Sequence, residues 1–209
     1  MLVEPNASHI KHALTAHAVH PLLSQRWSPR SFSERLIDHA TISSLFEAAR
    51  WSASGGNGQP WSFIIASRED PAEFSRLLDC LTPGNAEWAK SAALLGIGIA
   101  QVVRGDGKTN RLALYDLGLA MQNLSVQALT IELYVHQMGG FSIDKARETF
   151  HIPETHEPGA AFAIGYLGDP TLLSDSNRER ELAPRTRKPL EEFVFTGNWG
   201  HVSPLIQKG

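Results

Sequence analysis

A single cysteine, Cys80, is all the sequence holds, so no disulfide can form within the chain. A reducing cytoplasm is the simplest home for such a protein, and Cys80 reads as an ordinary small apolar residue on a helix. No run approaches the ~20 apolar residues that a bilayer-spanning helix requires. The first residues offer His9, Lys11, His12 and His17 where a signal peptide would show a basic start and an apolar run, so none is expected. Charge of one sign is lacking as well: 19 Lys and Arg stand against 22 Asp and Glu, a net −3 that gives nucleic acid or an anionic membrane no electrostatic hold. Repeats, low-complexity tracts and a Pro/Gly/Ser linker are also missing. The 209 residues, 42% of them hydrophobic, are therefore expected to form one domain over 1–209 around a shared core.

The apolar spacing sets out the elements. Ile10, Ala13, Leu14, Val19 and Leu22 recur at roughly helical intervals, which predicts a helix over the first 23 residues that Pro21 ends or kinks. A second helix is predicted over 38–51, with Asp38 as N-cap and Ile42, Leu45, Phe46 and Ala49 in one stripe. Ser52–Pro60 is a loop, Trp61–Ala66 a buried strand, and Asp70-Pro71 the start of another helix. Leu94–Ala100 and Ala160–Leu167 are further strands, and Ser142–Phe150 is a short helix ahead of Pro153. Residues 111–136 carry apolar side chains around most of a helix circumference, so a central helix buried on several sides is expected, in part by a partner subunit. The last forty residues, rich in Arg and with little periodicity, are either loosely ordered or wrapped over another surface. With no regular β–α alternation, the fold class is α+β.

Four segments carry candidate chemistry. In Arg26-Trp27-Ser28-Pro29-Arg30 two guanidinium groups flank a hydroxyl, and Pro29 stiffens the backbone between them. Such forks suit phosphate oxygens, although a solvated basic loop looks the same in isolation. Arg185-Thr186-Arg187-Lys188-Pro189 repeats the theme near the C-terminus, with the same bland alternative. Ser54-Gly55-Gly56-Asn57-Gly58-Gln59 places two amides among three glycines. The glycines permit close approach to a flat ligand, and each amide offers both a donor and an acceptor for the edge of a heterocycle. His136-Gln137-Met138-Gly139-Gly140-Phe141 ends the long helix in this reading. One glycine there is explained as a helix C-cap; two adjacent ones also let a backbone N–H reach a ring nitrogen.

These segments, in this order, resemble the FMN-dependent nitroreductases. The likeness also takes in Asn85-Ala86-Glu87-Trp88, Tyr115-Asp116-Leu117-Gly118 with Asn123, Ile152-Pro153-Glu154 and Ala163-Ile164-Gly165-Tyr166. The resemblance implies a central, mostly antiparallel sheet flanked by helices, in an intertwined homodimer with two FMN sites at the subunit interface. It implies that Arg26, Trp27, Ser28 and Arg30, with Arg185 and Arg187, surround the FMN phosphate. Ser54, Asn57 and Gln59 would contact the flavin from the other subunit, Asn85 the ring or ribityl chain, and Met138, Gly139 and Gly140 the N5 edge. Hydride would pass from NADH or NADPH to flavin N5 and on to nitroaromatics, quinones or similar small acceptors in a ping-pong cycle, with no side chain as catalytic acid or base and no metal. Trp27 stands where a basic residue or His is common, and Ala53 where Pro is common; both departures bear on substrate shape more than on flavin binding.

Two readings from other classes are weaker. Gly105-Asp106-Gly107-Lys108-Thr109 follows a strand and ends like a P-loop, but the motif needs Gly where Val102 stands. His9, His12, His17 and His20 crowd the N-terminal segment with no His-Glu-x-x-His pattern and no nearby Cys, so a metal site is not expected. Within the family, an FMN enzyme with a different reaction, dehalogenase-like or flavin-destructase-like, shares the clamp; such relatives differ in the lid, and Leu81–Lys90 and residues 104–111 are short here, which implies an open pocket.

Overall fold

The computed structural model describes residues 11–206. They group into two compact units, one of Arg26–Glu181 and one of the flanking segments up to Gln25 and from Leu182 onward. In the larger unit four strands form one antiparallel sheet: β1 (Trp61–Ser67), β2 (Leu94–Gln101), β3 (Tyr134–Met138) and β4 (His156–Gly165), in the order β1-β2-β4-β3. This is the α+β sheet the sequence predicts.

Strand alternation sorts the core into two layers. Leu95, Ile97 and Ile99 of β2, Ala161 and Ala163 of β4 and Met138 of β3 share one cluster with Phe74, Leu77 and Trp88. Leu94 and Ala100, Phe162 and Ile164, and Val135 share the other with Leu45, Ala49, Leu117, Met121 and Leu124. Gly96 leaves room for the Phe162 ring, whose Cζ lies 2.3 Å from where a Cβ would stand. Pro158 sits in β4 at a register shift opposite Ile99, a place where a missing backbone donor is tolerated.

Two N-caps, Asp38 and Asp70, are placed as expected, and Ser142 proves to be a third. Asp38 accepts from Thr41 N–H ahead of His39–Arg50 (hereafter α2), Asp70 caps Pro71–Leu78 (α3), and Ser142 caps Ile143–Phe150 (α6). Four expectations are corrected. Residues 11–20 are not helical, and Pro21 opens a short helix, Pro21–Gln25 (α1), instead of ending one; a proline at the first helical position forfeits only a donor that has no partner there anyway. The remainder of that expected helix, including Ile10 and His9, lies outside the described residues. The central helix, Ala113–Thr130 (α5), stops six residues early, because Glu132 adopts φ 61° and turns the chain into β3. His136–Met138 therefore ends a strand, not a helix. β1 is an edge strand and only partly buried. Leu81–Lys90 is not a lid: it contains Pro83–Ala89 (α4), whose Trp88 and Ala89 are buried in the core. In the tail, Asp175–Leu182 forms a further helix (α7).

In the smaller unit, the Arg185 guanidinium donates to the carbonyls of Lys11 and Ser24 at 2.9 and 2.8 Å, and Lys11 Nζ donates to Ala183 O. Phe195 and Val202 pair across a hairpin. No described helix is long and apolar enough to cross a membrane.

Candidate functional site

The Arg26–Arg30 loop is fastened from beneath. The His136 Nδ1 contacts Pro29 O at 2.7 Å; since a carbonyl only accepts, Nδ1 carries the proton. Glu181, 1% exposed, accepts from Arg30 N–H at 2.8 Å through one oxygen and from Ser31 N–H at 3.1 Å through the other. Gly168 N–H donates to Ser31 O, and Phe32 bridges Leu167. Trp27 is buried edge-on against Tyr134, with ring centroids 6.1 Å apart. The Arg26 guanidinium donates to Ser28 Oγ at 3.3 Å. Two arginines and a hydroxyl thus ride on a backbone that has little freedom to move.

Burial pushes the His136 imidazole down to about 4, helped by the positive charges of Arg30 and Arg26 and opposed by the Pro29 bond. Burial also draws Arg30 below its ordinary value, with Glu181 opposing and Arg180 reinforcing the shift. A histidine that resists protonation in the fold stabilises it fully above the unfolded value near 6.5, and that stability is lost as pH falls from there toward about 4. The expected loss across this window is about 3 kcal/mol. Urea melts of wild type and His136→Asn from pH 7 to 4 check it: the variant should lack this component of the acid slope.

The strand that carries His136 continues into Gly139 and Gly140. Asn85 Nδ2 donates to Gly140 O at 3.0 Å, and Thr82 N–H donates to the same oxygen. A Cβ on Gly140 would stand 2.5 Å from Asn85 Nδ2, whereas one on Gly139 would meet no atom within 4 Å. The first glycine of the pair faces open space and the second makes a close approach. Met138 is buried in the core cluster, so only its backbone is placed to meet a ligand.

The glycine loop is shaped by unusual backbone. Gly56, Asn57 and Gln59 have φ of 59°, 54° and 46°, a region costly for side-chain-bearing residues. Asp116, 3% exposed, accepts from Gly55 N–H at 3.2 Å, and Ser54 Oγ accepts from Gln59 N–H at 3.0 Å. Both amide side chains are exposed. A cavity of about 510 Å³ beside them is lined by Gly55, Gly56, Gly58, Pro60, Gln101, Arg104, Gly105, Asn110 and Leu112. Val103 pairs with Thr109 and α5 starts only at Ala113, so Gly107-Lys108-Thr109 is a hairpin and not a phosphate loop running into a helix.

The structure thus brings together Asn85 with Gly140, and Ser54 with Asn57 and Gln59; Arg26, Ser28 and Arg30 share one loop. Arg185 and Arg187 belong to the smaller unit. There they line a cavity of about 450 Å³ with Lys188, Ala13, Leu14 and His17, and burial and Arg187 lower the Arg185 pKa. Among the described residues, no group of three His, Cys, Asp or Glu side chains is gathered as a metal site needs.

The family model described as the nitroreductase family matches residues 23–166, most of the chain. The chain belongs to the nitroreductase family. A solved structure described as an oxidoreductase containing FMN is 32% identical with a TM-score of 0.86, over 91% of this chain and 98% of that one. An uncharacterised 15.4 kDa protein of Mycolicibacterium smegmatis is 34% identical over 61% of this chain and 85% of its own length. A putative NADH dehydrogenase/NAD(P)H nitroreductase of Archaeoglobus fulgidus is 26% identical over 71% of this chain and 84% of its own. Like other members of this family, the chain is an oxidoreductase in class.

Sequence reasoning missed three residues that shape this nitroreductase-family site. Asp116 left a trace, as a carboxylate on the buried side of α5 among Ala113, Leu117 and Ala120. His136 sits between Tyr134 and Met138 on a core-facing register, but the expected helix hid that pattern. Glu181 gave no local signal, because its partners lie 150 and 151 residues away.

Proposed function

We propose that this chain is an FMN-dependent oxidoreductase that takes electrons from NADH or NADPH and passes them to small acceptors such as nitroaromatics and quinones. It acts as a homodimer, with the whole of 1–209 as one functional domain, in the cytoplasm. The observation that carries the reading is the Arg26–Arg30 loop: two guanidinium groups and a hydroxyl on a backbone fixed by buried His136 and Glu181. That donor set suits a phosphate monoester, because forked N–H groups match its oxygens and the pre-set backbone lowers the ordering cost of binding. Similarity to an FMN-containing oxidoreductase supports the same reading.

Bound FMN would supply the two-electron relay between donor and acceptor. The protein's own part is binding and orientation. Arg26, Ser28 and Arg30 would hold the phosphate, with Arg185 and Arg187 as further cations for it, while the buried Trp27 side chain serves to anchor the loop that carries them. Backbone N–H groups at Gly139 and Gly140 offer fixed dipoles to negative charge at the ring edge, with Met138 setting the strand and Asn85 locking the Gly140 carbonyl. Ser54, Asn57 and Gln59 present their amides and hydroxyl to the site of the partner subunit. Leu114 and Tyr115 of α5, 50% and 65% exposed in the single chain, fit burial against such a partner.

Steady-state assays of FMN-loaded protein with NADH or NADPH, menadione and a nitroaromatic test the reading. Consumption of donor and acceptor with parallel double-reciprocal lines is expected. Protein that holds FMN yet consumes none of these substrates would contradict the proposed reaction.

A further inference from the structure

Three consecutive residues of the phosphate loop are tied to buried groups from two distant elements. Pro29 gives its carbonyl to His136 on β3, and Arg30 and Ser31 give their N–H groups to the two oxygens of Glu181 on α7. Both anchoring side chains are buried, and so is Pro29. This is costly to maintain, since a buried carboxylate or imidazole stabilises a fold only when its hydrogen bonds are made. A surface loop with no task has no need of such a foundation.

β3, this time together with α4, also fixes the other end of the site. His136 lies over the Trp88 ring of α4, centroids 4.4 Å apart, and Asn85, three residues before Trp88, holds the carbonyl of Gly140, four residues after His136. α4 and β3 therefore form a rigid frame with two attachment points: Pro29 through His136, and Gly140 through Asn85. The frame thereby sets the separation between the cationic loop and the glycine pair.

We propose that His136 and Glu181 are positioning residues that keep the Arg26–Arg30 loop preformed at this separation, and so govern the selection of FMN over riboflavin, which has the same ring and ribityl chain but no phosphate. This rests on the FMN reading above. If the two residues merely support the core, their loss lowers stability and weakens both flavins alike. If they position the phosphate loop, the loss falls on FMN.

The test uses full-length apo-protein titrated with FMN and with riboflavin, followed by quenching of flavin fluorescence, with a thermal melt of each variant. His136→Asn keeps an amide N–H close to where the imidazole Nδ1–H stands; His136→Gln keeps the amide but moves it away. Glu181→Gln turns an amide N–H toward one of the two backbone donors. Wild type is expected to favour FMN strongly. His136→Gln and Glu181→Gln should each lose about 10-fold or more in FMN affinity with riboflavin nearly unchanged, and His136→Asn should recover most of the loss. Equal weakening of both flavins, unchanged FMN affinity, or an Asn variant no better than the Gln variant overturns the proposal. Should one variant fail to fold, the Asn and Gln pair at 136 and the substitution at 181 each decide the matter alone. Wild-type protein that binds neither flavin, or both equally, refutes instead the FMN reading beneath it.

Discussion

Arg26→Ala and Arg187→Ala, made singly and together, are expected to yield largely colourless protein. A charge-assisted, forked contact to a phosphate contributes more than a neutral hydrogen bond, so each arginine is expected to be worth about 10- to 100-fold in FMN affinity. The losses should compound in the double variant, whose FMN affinity is then too low to survive purification. Arg26 sits on a backbone anchored through Pro29, Arg30 and Ser31, so its removal deletes a donor without releasing the loop; melting temperature should change little. FMN content equal to wild type in the double variant would remove the clamp from the account. A Lys at 26 should restore charge but only part of the affinity, because an ammonium cannot make the paired contact.

A second large effect is expected from mixing two inactive proteins. One carries Arg26→Ala and Arg187→Ala; the other carries Asn57→Ala and Gln59→Ala. If each site takes its cations from one subunit and its amides from the other, a mixed dimer holds one site with both defects and one with neither. Neither parent should bind FMN firmly, yet the mixed dimer, isolated through two different tags, should regain about half the wild-type flavin and turnover. Recovery absent from the mixed dimer would show that the amide loop serves its own subunit. The loop is well suited to the role: Asp116 and Ser54 hold its base, while the Asn57 and Gln59 side chains remain exposed in the single chain.

Much of this arrangement was legible in the sequence because local chemistry specifies it. Asp38, Asp70 and Ser142 cap the helices that follow them, each with its side chain on backbone N–H groups two or three residues on. The strands β2 and β4 announce themselves as short apolar runs. What was lost was lost where two structures share one pattern. The apolar sequence Leu129, Leu133, Val135 satisfies the end of a buried helix and the start of a buried strand equally well, and the turn between them relies on Glu132 in a left-handed conformation with no glycine to mark it. No helix was expected within Leu81–Lys90, where Gly84 disfavours one, yet tertiary burial of Trp88 and Ala89 overrides that preference in α4. α7 escaped because its sequence, Asp175 to Leu182, is charged nearly throughout.

The candidate site divides along the same line. Arginines, amides and glycines that would touch a ligand sit in short motifs and could be named from them. The residues that hold those motifs in place could not, because Glu181 meets Arg30 and Asp116 meets Gly55 only after the chain has folded. Sequence motifs record what faces the ligand; long-range contacts record why the ligand finds it already arranged.

The account stands most directly on the colour of the purified protein. It predicts a yellow preparation whose released chromophore is FMN, not riboflavin or a dinucleotide, and whose visible absorbance bleaches when NADH or NADPH is added without oxygen. Colourless protein that does not take up added FMN would contradict it.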